Sequence, residues 1–398
     1  MAMVHWLWLA TRPGCSVRFC HRLLERFGTP EAVWRAGREE LSCLPRINAA
    51  RLSALLEKDL TWPQRIERDC LRQDIQIVPL QDPAYPELLR QIADPPLVLY
   101  VRGTLPDFGS SLSVSVVGTR SCTDYGLHAA RYFAGNLAQR GCIIVSGMAL
   151  GIDGAANRAA VEAGGVTVAV LGSGVDVCYP WEHKKLMEQI LRHGAVISEY
   201  PPGTEPKGWH FPVRNRIITG LSRGTLVVEA PKRSGALISA DLALEQGRDV
   251  FAVPGDINRP SCAGCNRLIR QGGAELVQEP SDILAHYGSH EAGQHRKLPQ
   301  ERKQFRPEQI QRSEPAAQTE QIQKPEPVVR QKRALAVSRV ERTVWQAVRE
   351  GHTTVDAVVE ATGLPAASVL AALTMLEIGA YVILTGSGYH VAEDVQPE

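Results

Sequence analysis

The chain has 398 residues, and its composition limits what it can be and what it can bind. Two or three domains are expected, because one hydrophobic core rarely organises more than about 250 to 300 residues. Lys and Arg number 44 against 43 Asp and Glu, so a polyanionic partner must be held by a local patch. The nine cysteines lack framework spacing, which predicts a reduced cytoplasmic protein, and no apolar run approaches membrane-spanning length.

Helical spacing of apolar residues predicts a small helical domain over residues 1–65, for example at Leu23, Leu24 and Phe27. The segment LLERFGTPEAVWRAGREELSCLPRI resembles helix-hairpin-helix and SAM-like modules, which attach to nucleic-acid enzymes. In such hairpins a glycine pair lets the backbone approach a DNA phosphate, but Arg46 and Asn48 stand in that place here. We therefore favour a packing or protein-interaction role for this domain over DNA contact.

Short apolar runs alternate with amphipathic helices over residues 75–287. Continuous apolar strands separated by helices predict an α/β domain with a Rossmann-like, doubly wound parallel sheet. Ligands bind such sheets at the carboxyl ends of the strands. The predicted strands are residues 114–118, 142–147, 166–172, 195–200, 225–230 and 249–255, with helices at 127–140 and 236–246 among them.

Glycine-rich loops follow four of these strands, beginning at Gly118, Ser146, Gly172 and Pro231. Glycine permits the left-handed turns and close backbone approach that a phosphate cradle needs. Each loop alone is an ordinary turn, but four at one sheet edge, two of them with basic residues, predict an anion-binding groove. Two further lysines open the helix after the third loop. The basic residues of this edge are Arg120, Lys184, Lys185, Lys232 and Arg233.

The segment FPVRNRIITGLSRGTLVVEA, residues 211–230, is the most informative part of the chain. Its apolar spacing predicts a helix over residues 216–221 that feeds the strand at 225–230, with Arg214 and Arg216 at the helix start. A helix start offers free N–H groups and a positive dipole end, so guanidinium groups there predict an anion site. The alternative is that both arginines form ion pairs at the surface.

Motifs for catalysis and metal binding are not found in the sequence. GxxxxGK[ST], HExxH and GxSxG are absent, and the GSG loop lacks the third glycine of the dinucleotide fingerprint. Asp153 stands beside a glycine-rich turn and is interpreted as a helix cap rather than a catalytic acid. Cys262 and Cys265 form a CxxC pair without a second pair, so we interpret them as loop cysteines and predict no metal and no cofactor.

Seven segments, in order, resemble the DNA-processing protein A family, also called Smf. They are GTRSCTDYG, SGMALGIDGAANRAA, VLGSGVDVCYP, ISEYPPGTEP, FPVRNRIITGLSRGTLVVEA, SGALISADLALEQGRDVFAVPG and GCNRLIRQGG. The resemblance implies a homodimeric single-stranded DNA-binding protein without enzymatic turnover. It implies that the protein protects incoming DNA in natural transformation and loads the recombinase RecA onto it for homologous recombination.

The resemblance also implies which residues bind the single-stranded DNA. These residues are Arg120, Ser146, Gly147, Lys184, Lys185, Arg214, Asn215 and Arg216. Gly118, Phe211, Lys232 and Arg233 complete the predicted DNA-binding site. Two positions depart from the family pattern, with Asn157 in place of the usual histidine and His183 where asparagine is frequent. We therefore expect the second and third loops to contact the DNA strand differently from the corresponding loops of the family.

Cations spread along a sheet edge predict binding of a single DNA strand. Phe211 and Trp209 offer faces for an unstacked base. Core or dimer contacts remain the alternative for both aromatic residues, although surface placement is favoured for Trp209. The alternative function is a Rossmann-fold nucleotide-binding hydrolase of the lysine-decarboxylase-like class, which shares the glycine loops. Those enzymes end in GGxGTxxE, of which this chain has Gly224, Thr225 and a displaced Glu229.

The composition changes at residues 288–334, which are rich in Gln, Pro and charge and predict a disordered linker. Residues 335–398 resemble a winged helix, with three helices and two alternating strands. The third helix, 365–378, has Glu377 as its one charge, so we do not expect it to read a DNA groove. The predicted core of this domain is Val344, Trp345, Val348, Val358, Leu370, Leu373 and Leu376.

Overall fold

The computed structural model describes residues 3–45, 47–288, 333–334, 338–378, 381–385, 388–391 and 395–396. They belong to two compact units, Met1–Pro299 and Gln300–Glu398. Arg46 and nearly all of the predicted linker lie outside the described residues. The predicted helical domain and the predicted α/β domain therefore fall in one unit, and the winged helix falls in the other.

Six short helices begin the first unit. They are α1 (Met3–Ala10), α2 (Val17–Phe27), α3 (Pro30–Arg35), α4 (Arg38–Ser42), α5 (Ala49–Leu56) and α6 (Thr61–Arg72). Asn48, which replaces a hairpin glycine, caps α5 because its side chain accepts a hydrogen bond from the Arg51 N–H. The buried Trp6 and Phe19 of these helices share one hydrophobic core with Tyr100 and Leu171 of the α/β domain. The helical domain is thus packed onto the α/β domain.

A sheet of nine strands organises the rest of the first unit, in the order β1-β2-β6-β5-β4-β3-β7-β8-β9. The strands are β1 (Ile75–Pro79), β2 (Val98–Gly103), β3 (Ser113–Val117), β4 (Ile143–Ser146), β5 (Thr167–Val170), β6 (Gly194–Ser198), β7 (Gly224–Val227), β8 (Asp249–Ala252) and β9 (Glu275–Leu276). Strands β3 to β9 are parallel, which confirms the Rossmann-like sheet. β1 and β2 add an antiparallel edge that the sequence pattern did not reveal.

Helices cover both faces of this sheet. They are α7 (Glu87–Arg90), α8 (Asp124–Gln139), α9 (Ile152–Glu162), α10 (Lys184–His193), α11 (His210–Gly220), α12 (Gly235–Glu245), α13 (Ala263–Arg270) and α14 (Pro280–His286). On one face Ile217 of α11 and Ala240 of α12 pack in a core with Val145 and Val168. On the other face α8 and α9 pack on Ile144, which makes the sheet doubly wound as predicted.

Cys262 and Cys265 are not loop residues, contrary to the sequence interpretation. Cys262 closes the 3-10 turn Pro260–Cys262, and Cys265 lies in α13, where its thiol donates to the Val227 carbonyl oxygen. Both side chains are buried. Among the residues the structure describes, no group of three potential metal ligands occurs, and no helix has the length and apolar character to cross a membrane.

The second unit has the winged-helix arrangement that the sequence predicts. It consists of β10 (Arg333–Ala334), α15 (Arg339–Arg349), α16 (Val355–Thr362), α17 (Ala366–Ile378), β11 (Val382–Thr385), β12 (Gly388–Val391) and β13 (Val395–Gln396). β11 and β12 form the antiparallel hairpin. The predicted core is confirmed except at Leu370, which is 53% exposed, because the buried face of α17 presents Val369 instead.

Candidate nucleic-acid interface

The strand order reverses between β3 and β7, and a doubly wound sheet usually binds its ligand beside such a point. Here the buried Glu229 lies just after β7. Its Oε2 accepts from the Thr123 N–H at 2.9 Å and its Oε1 accepts from the Thr123 hydroxyl at 3.0 Å. Thr123 is the N-cap of α8. The positive start of α8 therefore already faces a carboxylate of the protein itself, which competes with any phosphate there.

Helix α11 begins at His210, so Arg214 and Arg216 lie inside the helix and not at its start. Their exposed fractions are 4% and 5%. The predicted helix began too late because the apolar spacing was counted only from residue 216, whereas the first turn of α11 includes Pro212, and proline is tolerated in a first helical turn. The alternative of surface ion pairs is also wrong, because both guanidinium groups are ion-paired or hydrogen-bonded in the interior.

Arg214 joins the carboxyl ends of two strands. Its Nη1 donates to the Gly147 carbonyl oxygen at 2.9 Å and also to that of Val170. Asp153 neighbours this guanidinium, and its Oδ2 accepts from the Gly147 N–H at 3.2 Å. Burial lowers the pKa of Arg214 to about 10, and the negative charge of Asp153 opposes this lowering. The Arg214 side chain therefore stays protonated at neutral pH. Burial likewise raises the pKa of Asp153, while Arg214 opposes the rise.

Asp153 is therefore not a helix cap, because the N-cap of α9 is Gly151. It is an internal counter-charge whose carboxylate accepts from the Gly147 N–H and lies beside the Arg214 guanidinium. Together, Arg214 and Asp153 lie at the carboxyl ends of β4 and β5, on the edge at which doubly wound sheets bind their ligands. Both charges are thus engaged within the protein.

Several predicted contact residues are internal. The Ser146 hydroxyl donates to the Val116 carbonyl oxygen at 2.6 Å, and both polar backbone groups of Gly147 are engaged with Asp153 and Arg214. Ser146 and Gly147 are predicted to hold the DNA strand, and in the structure their polar groups are engaged within the protein. The two departures from the family pattern are also internal, since Asn157 and His183 are buried and hydrogen-bond the backbone of Met148.

Arg216 forms a second internal ion pair. Its Nη2 donates to Glu199 Oε2 at 2.5 Å, and its Nε lies 3.8 Å from Asp94 Oδ2. Burial raises the pKa of Glu199, and Arg216 opposes the rise. Glu199 Oε1 and Arg216 Nη1 are buried without a hydrogen-bond partner. The guanidinium of Arg216 therefore lies in the interior, paired with Glu199, and not on the surface of the sheet edge.

The basic residues of the loops are placed differently. Arg120, in the loop after β3, is exposed, and Lys184 and Lys185 are exposed at the first two positions of α10. Lys232 and Arg233 are exposed in the loop between β7 and α12. Within the described ranges none of these five side chains forms an ion pair with a carboxylate. Burial raises the pKa of Asp153, and Arg120 is near enough to oppose that rise together with Arg214. Asn215 is half-buried, and its Oδ1 accepts from Arg214 Nε.

Phe211 connects the first loop to the third. Its half-buried ring lies 5.1 Å from the Arg120 guanidinium carbon and 5.5 Å, between ring centres, from Tyr179. Trp209 is 62% exposed, as the sequence predicted. Two aromatic residues of this edge were missed, Tyr179 at 44% and Trp181 at 70% exposure. The signal for them was the placement of both around Pro180, with the lysine pair beginning three residues after Trp181.

Comparisons with known proteins agree with this architecture. The sequence model of a family described as DNA recombination-mediator protein A matches residues 76–288, and that of the DprA winged helix domain matches 327–382. DNA processing protein DprA of Bacillus subtilis is 40% identical over 239 residues, which are 60% of this chain and 80% of that protein. Protein Smf of Synechocystis is 37% identical over 289 residues, 72% of each chain.

A solved structure is also similar over most of its length. The crystal structure of DNA processing protein A from Streptococcus pneumoniae matches 73% of this chain and 99% of its own with 35% identity and a TM-score of 0.64. The family match covers more than half of the chain, and the resemblance seen in the strand-end segments is thereby confirmed. This chain belongs to the DNA recombination-mediator protein A family, also called DprA or Smf, and carries the winged helix domain of that family.

Proposed function

We propose that this protein binds single-stranded DNA along the carboxyl edge of its sheet, with Arg120, Lys184 and Lys185 holding the phosphates. The observation that carries the proposal is the contrast between two sets of charges at this edge. Arg214 and Glu229 are buried and partnered within the protein, whereas the loop cations are exposed without carboxylate partners. Exposed cations in this arrangement suit a chain of phosphates that passes over the surface.

A single strand fits this edge better than a duplex. Arg120 follows β3, whereas Lys184 and Lys185 follow β5, and β4 lies between these two strands in the sheet. Cations spaced in this way along one edge can track one flexible backbone. Phe211 and Tyr179 lie between them and can stack only on bases that are already unpaired. Helix α17 of the winged helix carries neither Lys nor Arg, which makes it a poor reader of a duplex groove.

We further propose that the bound strand is incoming DNA in natural transformation, protected in the cytoplasm and passed to RecA for recombination. Membership in a family of recombination mediators supports this role. We propose a homodimer that uses the exposed Ile238, Leu244 and Leu276, which lie on α12 and on the edge strand β9. Loading of RecA is tested by the rate of recombinase assembly on a coated single strand, with and without this protein.

The proposed activity is binding without turnover. The hydrolase alternative requires an acid near Gly224 and Thr225, and Glu229 is the candidate. Glu229 is fully buried, and both of its oxygens accept hydrogen bonds from Thr123, so it does not face a substrate. Release of a free base from a nucleoside monophosphate by the purified protein would favour the hydrolase over our proposal.

Fluorescence titration with single-stranded and duplex oligonucleotides of equal length tests the proposed binding. We expect the single strand to bind at least about tenfold more tightly, a difference of ~1.4 kcal/mol.

A chain ended after Gly288 should bind within about threefold of the full chain, because the proposed contacts all lie in the first unit. It must not end at His286, because the Tyr287 hydroxyl donates to Asp249 Oδ2 at 2.8 Å.

Two results would contradict the proposal. Equal affinity for duplex and single strand would remove the argument for unpaired bases. Loss of most of the single-strand affinity on shortening the chain would assign DNA binding to the winged helix instead of the sheet edge.

A further inference from the structure

Trp181 exposes 70% of its surface although an indole gains much from burial. It begins the 3-10 turn Trp181–His183, which leads directly into α10. The turn is anchored by the buried His183, whose Nδ1 lies 2.9 Å from the Met148 carbonyl oxygen. Trp181 is therefore held in a fixed place on the surface by its neighbour, and its own side chain contributes little to the core.

The surroundings of Trp181 alternate aromatic rings and cations. The Lys184 ammonium lies 5.6 Å from the centre of the indole ring, and Lys185 is exposed beside it in sequence. Two residues before Trp181, Tyr179 is 44% exposed and contacts Phe211, whose ring also meets Arg120. The exposed Trp181 and the half-buried Phe211 thus each lie beside a cation that can meet a phosphate, and Tyr179 is in contact with Phe211.

We propose that Trp181 is a base-stacking platform. It extends the DNA-binding edge of the sheet from Phe211 and Tyr179 to the start of α10. The inference rests on the proposed function, and it names the ligand as an unpaired nucleobase whose flanking phosphates lie against Lys184 and Lys185. With Lys184 over one face of the indole, the other face is left for a base. An apolar protein partner would instead have to desolvate two lysines that have no carboxylate partner here, which costs free energy.

Trp181→Ala separates stacking from phosphate contact when two strands of equal length are compared. One strand carries thymine, and the other carries abasic sites throughout, so that only the backbone remains. We expect the variant to bind the thymine strand about tenfold more weakly than the wild type does. Its affinity for the abasic strand should be unchanged. Trp181→Phe should keep most of the affinity, because a phenyl ring still stacks.

Trp62→Ala is the matched control. Trp62 is 47% exposed in α6, and Arg65 lies over its ring at 5.7 Å with the same three-residue spacing as Lys184 has from Trp181. This residue is in the helical domain and not at the strand-end edge. The control variant should bind both strands as the wild type does.

The outcomes separate the platform from the proposed function. Binding of the thymine strand by Trp181→Ala with wild-type affinity would overturn the platform, while leaving single-strand binding intact. Equal loss on the thymine and abasic strands would also overturn it, because it would indicate a displaced lysine or loop. Failure of the wild type to bind either strand would instead overturn the proposed function.

Discussion

Replacement of Arg214 by methionine is expected to lower the free energy of unfolding at about pH 8 by roughly 3 to 5 kcal/mol. The substitution leaves Asp153 as a buried carboxylate without its counter-charge, and it leaves the Gly147 and Val170 carbonyl oxygens without their donor. The measurement is denaturant unfolding of the wild type and the variant. The effect on DNA affinity should follow from this loss of stability, since Arg214 is 4% exposed.

The pH dependence identifies the cause. Burial raises the pKa of Asp153 above its value in the unfolded chain. The contribution of this carboxyl to the free energy of unfolding is therefore largest below the unfolded pKa, and it is lost as the pH rises through the folded pKa. Removal of Arg214 raises that folded pKa further and extends the loss to higher pH. The destabilisation should therefore be smaller near pH 5 than near pH 8.

Adding Asp153→Asn to the Arg214 variant should restore part of the stability, because no buried charge is then left unpaired. An Arg214→Met protein that is as stable as the wild type, but binds DNA with a weaker salt dependence, would contradict the internal role and return Arg214 to the phosphate contacts.

Gly151→Ala is expected to cost about 3 kcal/mol of stability and to weaken single-strand binding as much as loss of Arg120 does. Gly151 has φ +77°, and a Cβ there would lie 2.4 Å from the Thr119 carbonyl oxygen and 2.6 Å from that of Arg120. The backbone that carries Arg120 must therefore move. Thermal unfolding and oligonucleotide titration of the same preparation measure both effects.

Gly164→Ala is the control for the backbone strain alone. Gly164 has φ +71°, but a Cβ there meets nothing within 4 Å. We expect a cost of about 1 kcal/mol and no change in DNA binding. If the two variants lost the same stability and both kept wild-type affinity, the close approach of Gly151 to the Arg120 loop would have no functional role.

Continuous apolar runs were sufficient to predict the six parallel strands β3 to β8, because a strand buried on both faces contains few polar residues. The antiparallel strands β1 and β2 were missed. IQIVP alternates over only five residues, and the strand that begins at Val98 follows two prolines, so neither has a clear period. The error at Leu370 has a similar origin, since α17 is apolar on almost every side and its buried face is chosen by the packing.

The exposed cations were predictable because a basic side chain in a glycine-rich loop has few ways to be buried. The arginines of the FPVRNR segment were not. The environment of Arg214 depends on Asp153, which is remote from it in sequence. The environment of Arg216 depends on Glu199, which lies beyond a turn. Only the fold brings these charges together. A sequence pattern therefore identifies a cluster of positive charge, but it does not separate the charges that support the edge from those that face the solvent.

The most direct test of the proposed edge is the salt dependence of single-strand affinity in the double variant Arg120→Ala/Lys184→Ala. If both side chains hold phosphates, the slope of log K against log salt should fall in magnitude by about 1.4, or roughly 0.7 for each lost contact. Arg192→Ala, an exposed cation in the last turn of α10, should leave the slope unchanged. A double variant that keeps the wild-type slope would contradict phosphate binding at this sheet edge.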